Sequence, residues 1–344
     1  MAKFVAPMMQ AQTPDSDVTN VQLAGSVEAR RGPIGDVAAA DGVIVVANYG
    51  DDSISVLNAA TLAVQSIIAL PGEPVAVAVA DDRAYVGTSS GTHDEVSVVD
   101  LTAKSVIATY DLALSVTALT VSPDGKRVFA ARTGDGYADV AVIDVPAERM
   151  GTIEIAAGAG IGIDAVEVDA SGKRLYVGTT DARGSALVVV NVETARVERA
   201  VQIGAPIRDI AVADGTVYVL TSDRARGGVV HVIALATGRI TGTVQLGGAP
   251  TQLVMGTDKT RAYVVDYDRV VVLGPLTRKV THTITVDARP SSVAVDGDRL
   301  HIADYAGVVT SYDVEPARPL TYSDFVATDP IAVPEVAELE PAAV

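Results

Sequence analysis

Short apolar runs recur along the chain, each followed by a polar loop, a second apolar run, a turn and a third. The runs are Val43-Ile44-Val45-Val46, Ala84-Tyr85-Val86, Val128-Phe129-Ala130, Leu175-Tyr176-Val177, Val217-Tyr218-Val219, Ala262-Tyr263-Val264 and Leu300-His301-Ile302. Measured from the second residue of each, the spacings are 41, 44, 47, 42, 45 and 38 residues. One unit reads clearly. Pro206 to Val212 is apolar almost throughout, Asp214-Gly215 supplies a hairpin turn, and Val217 to Leu220 is a second strand. A polar loop from Thr221 to Gly228 leads to a third strand, Val229 to Leu235. Thr237-Gly238 then turns the chain into an alternating outer strand, Ile240 to Leu246.

That period is the length of a four-stranded β-propeller blade. The fold class expected is therefore all-β, a seven-bladed propeller of four-stranded antiparallel blades. The last unit has three strands through Val314, whereas an additional strand, Val21 to Ala29, precedes the first unit. It runs into Gly32-Pro33 as other outer strands run into Gly72-Glu73-Pro74 or Gly248-Ala249-Pro250. The N-terminal strand is expected to complete blade 7 and close the ring, with Leu320 to Val326 as the competing choice. The domain division is residues 1–20 as a disordered segment, 21–327 as the propeller and 328–344 as a disordered acidic tail. Both end segments are poor in β-formers and carry several prolines.

Composition narrows the chemistry. Hydrophobic residues make up 49% of the 344, but there is no Trp and only three Phe, so the core must pack through branched aliphatics. A net charge of −17 opposes phosphate, which excludes nucleic acid as a partner and disfavours anionic membrane surfaces. Zero cysteines exclude disulfides, thiolate metal sites and thiol nucleophiles. The apolar patch Phe4 to Met9 is broken by Pro7 and is too short for a signal peptide, and no uncharged apolar run spans a bilayer. The chain reads as a cytoplasmic monomer, peripheral to the inner membrane only through a partner.

Blade 1 contains Asn48-Tyr49-Gly50-Asp51-Asp52-Ser53-Ile54-Ser55-Val56-Leu57, and blade 2 contains Val96-Ser97-Val98-Val99-Asp100-Leu101-Thr102. Ser122-Pro123-Asp124-Gly125-Lys126-Arg127 and Ala170-Ser171-Gly172-Lys173-Arg174 are inner hairpins. These segments resemble the YVTN-type repeats of the YncE-like group of bacterial seven-bladed propellers, from about Gly32 to Val314. The resemblance speaks for fold, because such motifs build blades and mark no reaction. The Ala/Val richness and the preference for Arg over Lys also resemble mycobacterial cytoplasmic propellers. That likeness implies a protein partner, an RND-type mycolate exporter complex of the cell envelope.

No enzymatic signature stands out. The histidines His93, His231, His282 and His301 fall on four blades, so converging imidazoles for copper or haem are not expected. Neither a metal nor a cofactor is foreseen. Quinone-dependent and sialidase-type propellers need Trp, and no phosphate loop, dinucleotide fingerprint or serine elbow occurs.

Aligning the inner strands on their Pro, Ser or Gly start places Gly35, Ala76, Thr117, Asp164, Arg208, Gln252 and Ser292 around the channel mouth. Thr117, Asp164, Arg208, Gln252 and Ser292 are the polar candidates, and Asp164 and Arg208, on adjacent blades, are expected to form an ion pair. The loops between second and third strands should open on the same face. They carry Tyr49, Arg132, Tyr137, Arg183, Arg224, Arg226, Tyr267, Arg269 and Tyr305, residue types that anchor protein interfaces. The functional expectation is a non-catalytic scaffold binding partners through this face. The alternatives are a lactonase-like enzyme built on Asp164, or a sensor of a small anionic ligand, both acting at the channel mouth.

Overall fold

The computed structural model describes residues 21–91, 93–113 and 115–315. These form 28 strands and no helix, sorted into seven four-stranded antiparallel sheets. Six sheets use consecutive strands; blade 1, for instance, runs Ile34–Ala40, Val43–Asn48, Ser53–Asn58 and Val64–Ala69 from the inside outward. The seventh combines Pro290–Asp296, Arg299–Asp304 and Val308–Val314 with Val21–Glu28. The expected closure by the N-terminal strand is therefore present, running antiparallel from Val21↔Val314 to Glu28↔Val308. At its end Ala29 N–H donates to Gly307 O at 2.9 Å. Gly307 has φ +96°, and a Cβ there would collide with the Arg30 carbonyl, so this seam needs glycine. The competing strand, Leu320 to Val326, and the segments 1–20 and 328–344 lie outside the described residues.

The core is divided among the blade interfaces. Seven hydrophobic clusters each join one pair of neighbours, including blade 7 to blade 1 through Ala303 and Val309 against Ile34, Val37 and Ile44. Branched side chains suit this stacking because they fill a pleated face without gaps. Where the sheets approach most closely a side chain is given up: a Cβ on Gly178 would sit 2.8 Å from Ile207 Cγ2 of the next blade.

The second and third strands are the most buried, as in Val43–Asn48 and Ser53–Asn58. The inner strands are apolar but only partly covered, because each is a sheet edge facing the axis. Alternate backbone N–H and C=O groups of an edge strand have no sheet partner. Seven such edges around one axis create a lumen that must supply polar partners, from side chains or water.

Candidate functional site

Every inner strand carries a β-bulge at the same place. The register breaks between Ile34 and Asp36, Pro74 and Ala76, Val116 and Ala118, Ile163 and Ala165, Ile207 and Asp209, Pro250 and Gln252, and Pro290 and Ser292. The extra residue is thus Gly35, Val75, Thr117, Asp164, Arg208, Thr251 or Ser291. Because Ile34 pairs with Asn48, the bulges and the loops between second and third strands share one end of the propeller.

This register corrects the rim read from sequence. Thr117, Asp164 and Arg208 are exposed bulge residues at the mouth. Gln252 and Ser292 lie one position deeper, since Pro250 and Pro290 stand directly before their bulges whereas Pro206 stands one residue further back. Asp164 and Arg208 do not form the expected ion pair. Asp164 accepts a short hydrogen bond from Thr180 Oγ1, and Arg208 has no partner among the described residues.

The deeper ring comprises Asp36, Ala76, Ala118, Ala165, Asp209, Gln252 and Ser292, and its polar members fasten each blade to the next. Asp36 accepts the Val77 N–H at 3.0 Å, Asp209 the Leu253 N–H at 2.7 Å, and Gln252 Oε1 the Val293 N–H at 2.7 Å. Ser292 Oγ accepts the Val37 N–H at 3.3 Å and donates to Asp36 at 2.7 Å, joining last blade to first. Gln252 also donates to Ser292 Oγ at 3.1 Å. Blades 2 to 4 have alanine here and lack such a bond.

The channel is a cavity of about 600 Å³ lined by all seven inner strands. Its carboxylates are Asp36, Glu167 and Asp209, with Asp164 at the rim. Glu167 accepts from Thr120 Oγ1 on the neighbouring blade at 3.3 Å. By area Asp36, Glu167 and Asp209 are only half-buried, because the lumen meets them, yet they lie inside the ring of seven inner strands. That enclosure, reinforced by the Asp209 charge, pushes Glu167 up to about 8. Burial likewise raises Asp209 to about 7, against opposing bonds from Leu253 and Ile210 N–H, and it raises Asp36. Sequence reasoning missed all three. A proline-anchored alignment hides the bulge, and Glu167 lies three residues beyond it.

The loop face divides into spent and available side chains. Arg132 is not in a loop: it lies in the strand Arg127–Gly134, buried, with Nε 2.7 Å from Asp139 Oδ1 and Nη2 3.0 Å from Oδ2. Arg269 opens its strand and grips the buried Asp266 at 3.0 and 2.8 Å. Arg183 is almost fully exposed, 3.5 Å from Asp181. Arg224 and Arg226 are exposed, and no carboxylate pairs with either among the described residues. Tyr49, Tyr137, Tyr267 and Tyr305 are all exposed. Arg289, which the sequence reading passed over, stacks on Tyr267 at 4.5 Å and on Tyr305 at 5.3 Å from the ring centres.

Relatives place this arrangement in a family. The chain is 54% identical over 336 residues to a seven-bladed beta-propeller protein of Mycolicibacterium smegmatis, covering 93% of this chain and 91% of that one. It is 33% identical over 338 residues to a protein of the same description from Mycobacterium tuberculosis, covering 86% and 84%. The chain belongs to the seven-bladed β-propeller proteins. No protein-family model matches it. Among solved structures, the propeller superposes on a chain of Kuenenia stuttgartiensis hydrazine synthase with TM-score 0.72 at 20% identity, covering 83% of this chain and 96% of that one. It matches the Myceliophteria thermophila Cps50 (Swd1) β-propeller domain at TM-score 0.72 and 11% identity, covering 86% and 100%. At these identities the likeness concerns the fold of the propeller alone. No helix among its described residues is long and apolar enough to cross a membrane.

Proposed function

We propose that this propeller is a non-catalytic scaffold, acting in the cytoplasm, whose loop face binds and stabilises partner proteins. The observation that carries the reading is the set Arg208, Arg224 and Arg226 on blade 5. All three are exposed, and their guanidinium groups have no acidic partner among the described residues, in a chain of net charge −17. Unpaired guanidinium groups, on a face that also carries exposed tyrosines on other blades, make a surface suited to an acidic or polar protein segment, through bidentate bonds and aromatic contact. The resemblance to mycobacterial propellers supports a cell-envelope partner, an RND-type mycolate exporter complex.

The test is affinity purification of the tagged propeller from a mycobacterial host. Wild type retains a membrane complex, whereas the combined Arg183→Glu, Arg224→Glu and Arg226→Glu variant loses it at an unchanged melting temperature. Recovery of the same partners by both proteins removes the reading.

The open channel favours one second reading, a lactonase-like hydrolase. Asp164 is not neutralised by Arg208, and Glu167, titrating near 8, has the protonation behaviour of a general acid or base at neutral pH. A lactone panel assayed with wild type and Glu167→Gln decides it. Turnover that survives this substitution, or no turnover by wild type, rejects the Glu167 mechanism.

A further inference from the structure

On the rim of blade 2, at the channel-mouth face, His93, Glu95 and Asp111 converge. Their ligand-type atoms all lie within 4.8 Å of one another. His93 Nε2 is 3.7 Å from Glu95 Oε2 and 3.9 Å from Asp111 Oδ1. We propose that these three side chains form a Zn²⁺ site.

The placement follows from the sheet. Glu95 lies in the strand Asp94–Asp100 and is directly opposite Asp111 of the outer strand Ser105–Leu112. Like charges directly opposed on one sheet face repel, and the side chain of Glu95 is only 8% exposed while that of Asp111 is 84% exposed. A buried carboxylate facing a second carboxylate calls for a cation between them. His93 supplies the third donor from the loop just before Glu95. Its backbone is fixed there: Ser90 N–H and Ser90 Oγ donate to the His93 carbonyl at 3.1 and 2.6 Å, and His93 N–H donates to Ser90 Oγ at 3.2 Å.

The buried ligand is also held by its neighbours. Thr88 Oγ1 at 3.3 Å and Ser97 Oγ at 3.4 Å both donate to Glu95 Oε1, which leaves Oε2 to face the imidazole. Outer partners of this kind orient a metal-binding carboxylate. Donors bound to Zn²⁺ at about 2.0–2.2 Å stand roughly 3.3 Å apart in a tetrahedron. The present separations close to that value when the exposed His93 and Asp111 side chains swing inward. One imidazole and two carboxylates suit Zn²⁺, with water in the remaining position, whereas Ca²⁺ takes six to eight oxygens and Mg²⁺ an oxygen octahedron. Bound there, the ion clamps the loop before Glu95 to the outer strand and stiffens one sector of the loop face.

Calorimetric titration of the full-length, chelator-treated protein with ZnCl₂ tests the site. The expected result is one Zn²⁺ per chain, with Mg²⁺ and Ca²⁺ failing to compete. His93→Ala and Asp111→Asn should each weaken binding by about tenfold or more, while His282→Ala, on a different blade, leaves it unchanged. Co²⁺ added to wild type should give visible absorption bands that vanish in His93→Ala. Absence of saturable Zn²⁺ binding, or equal affinity in wild type, His93→Ala and Asp111→Asn, overturns the proposal. Both variants alter exposed side chains, so circular dichroism and melting temperature verify folding independently.

Discussion

Ser292 Oγ donates to Asp36 Oδ1 at 2.7 Å across the seam where the last blade meets the first. The same hydroxyl accepts the Val37 N–H, and the far oxygen of Asp36 accepts the Val77 N–H, so a serine and an aspartate tie three blades together. Ser292→Ala takes away the hydroxyl donor of Asp36 and the acceptor of Gln252 Nε2 and should cost about 1–3 kcal/mol, the range for leaving a buried polar group unsatisfied. Asp36→Ala should cost more, since it strands both Ser292 and Val77. Urea unfolding followed by circular dichroism measures both; equal stability of wild type and Asp36→Ala would show that channel water replaces the bonds.

Glu167 and Asp209 make stability depend on pH. Unfolded, they release their protons near the ordinary values of 4.5 and 3.8; folded, they hold them to about 8 and about 7. Between those limits the native state binds more protons, so stability falls as pH rises from about 5 to 8. The slope contributed by each group is at most about 1.4 kcal/mol per pH unit. Glu167→Gln should flatten the decline and stabilise the protein at pH 8. Melting temperatures across this range test it, and identical profiles for variant and wild type would refute it.

Arg132 and Asp139 form a buried bidentate pair that also holds Thr152 Oγ1 at 3.2 Å. Arg132→Met strands the Asp139 carboxylate and should destabilise the fold by about 3–5 kcal/mol. The double variant Arg132→Met with Asp139→Leu should recover most of that loss. Chemical denaturation of both compares a stranded charge with an apolar pair.

Removal of residues through Glu28 uncovers the strand Val308–Val314 along its whole outer edge. Such an edge recruits other chains. The truncated protein should elute as aggregates in size-exclusion chromatography, and addition of a peptide spanning Val21–Glu28 should restore monomers.

The architecture was legible because blades are short-range objects: the alternation of strands and turns, the Asp-Gly hairpins and the recurring Tyr of the second strand all act within one unit. Even the closing strand was readable, since Val21 to Ala29 enters Gly32-Pro33 as other outer strands enter their successors. The channel mouth was less so. A bulge shifts side chains by one position and leaves no residue type as its mark, so Gln252 and Ser292 were assigned to the wrong level and Asp36 and Asp209 were passed over. The fate of each arginine was also hidden. Arg132 and Arg224 look alike in a polar segment, but one meets Asp139 across a strand pair and the other meets no partner among the described residues, a difference set by register.

The pairing of Val21 with Val314 also imposes an order of assembly. During synthesis the earliest of these strands emerges long before the segment that will shelter it, and must wait beside growing blades whose edges offer similar places to bind. Six sheets can form as they appear, while the seventh has to recruit its outer member from the opposite end of the polypeptide. Loop closure over that separation comes late and slowly, so the completed circle is the final act of folding and the first place to open when the protein is stressed.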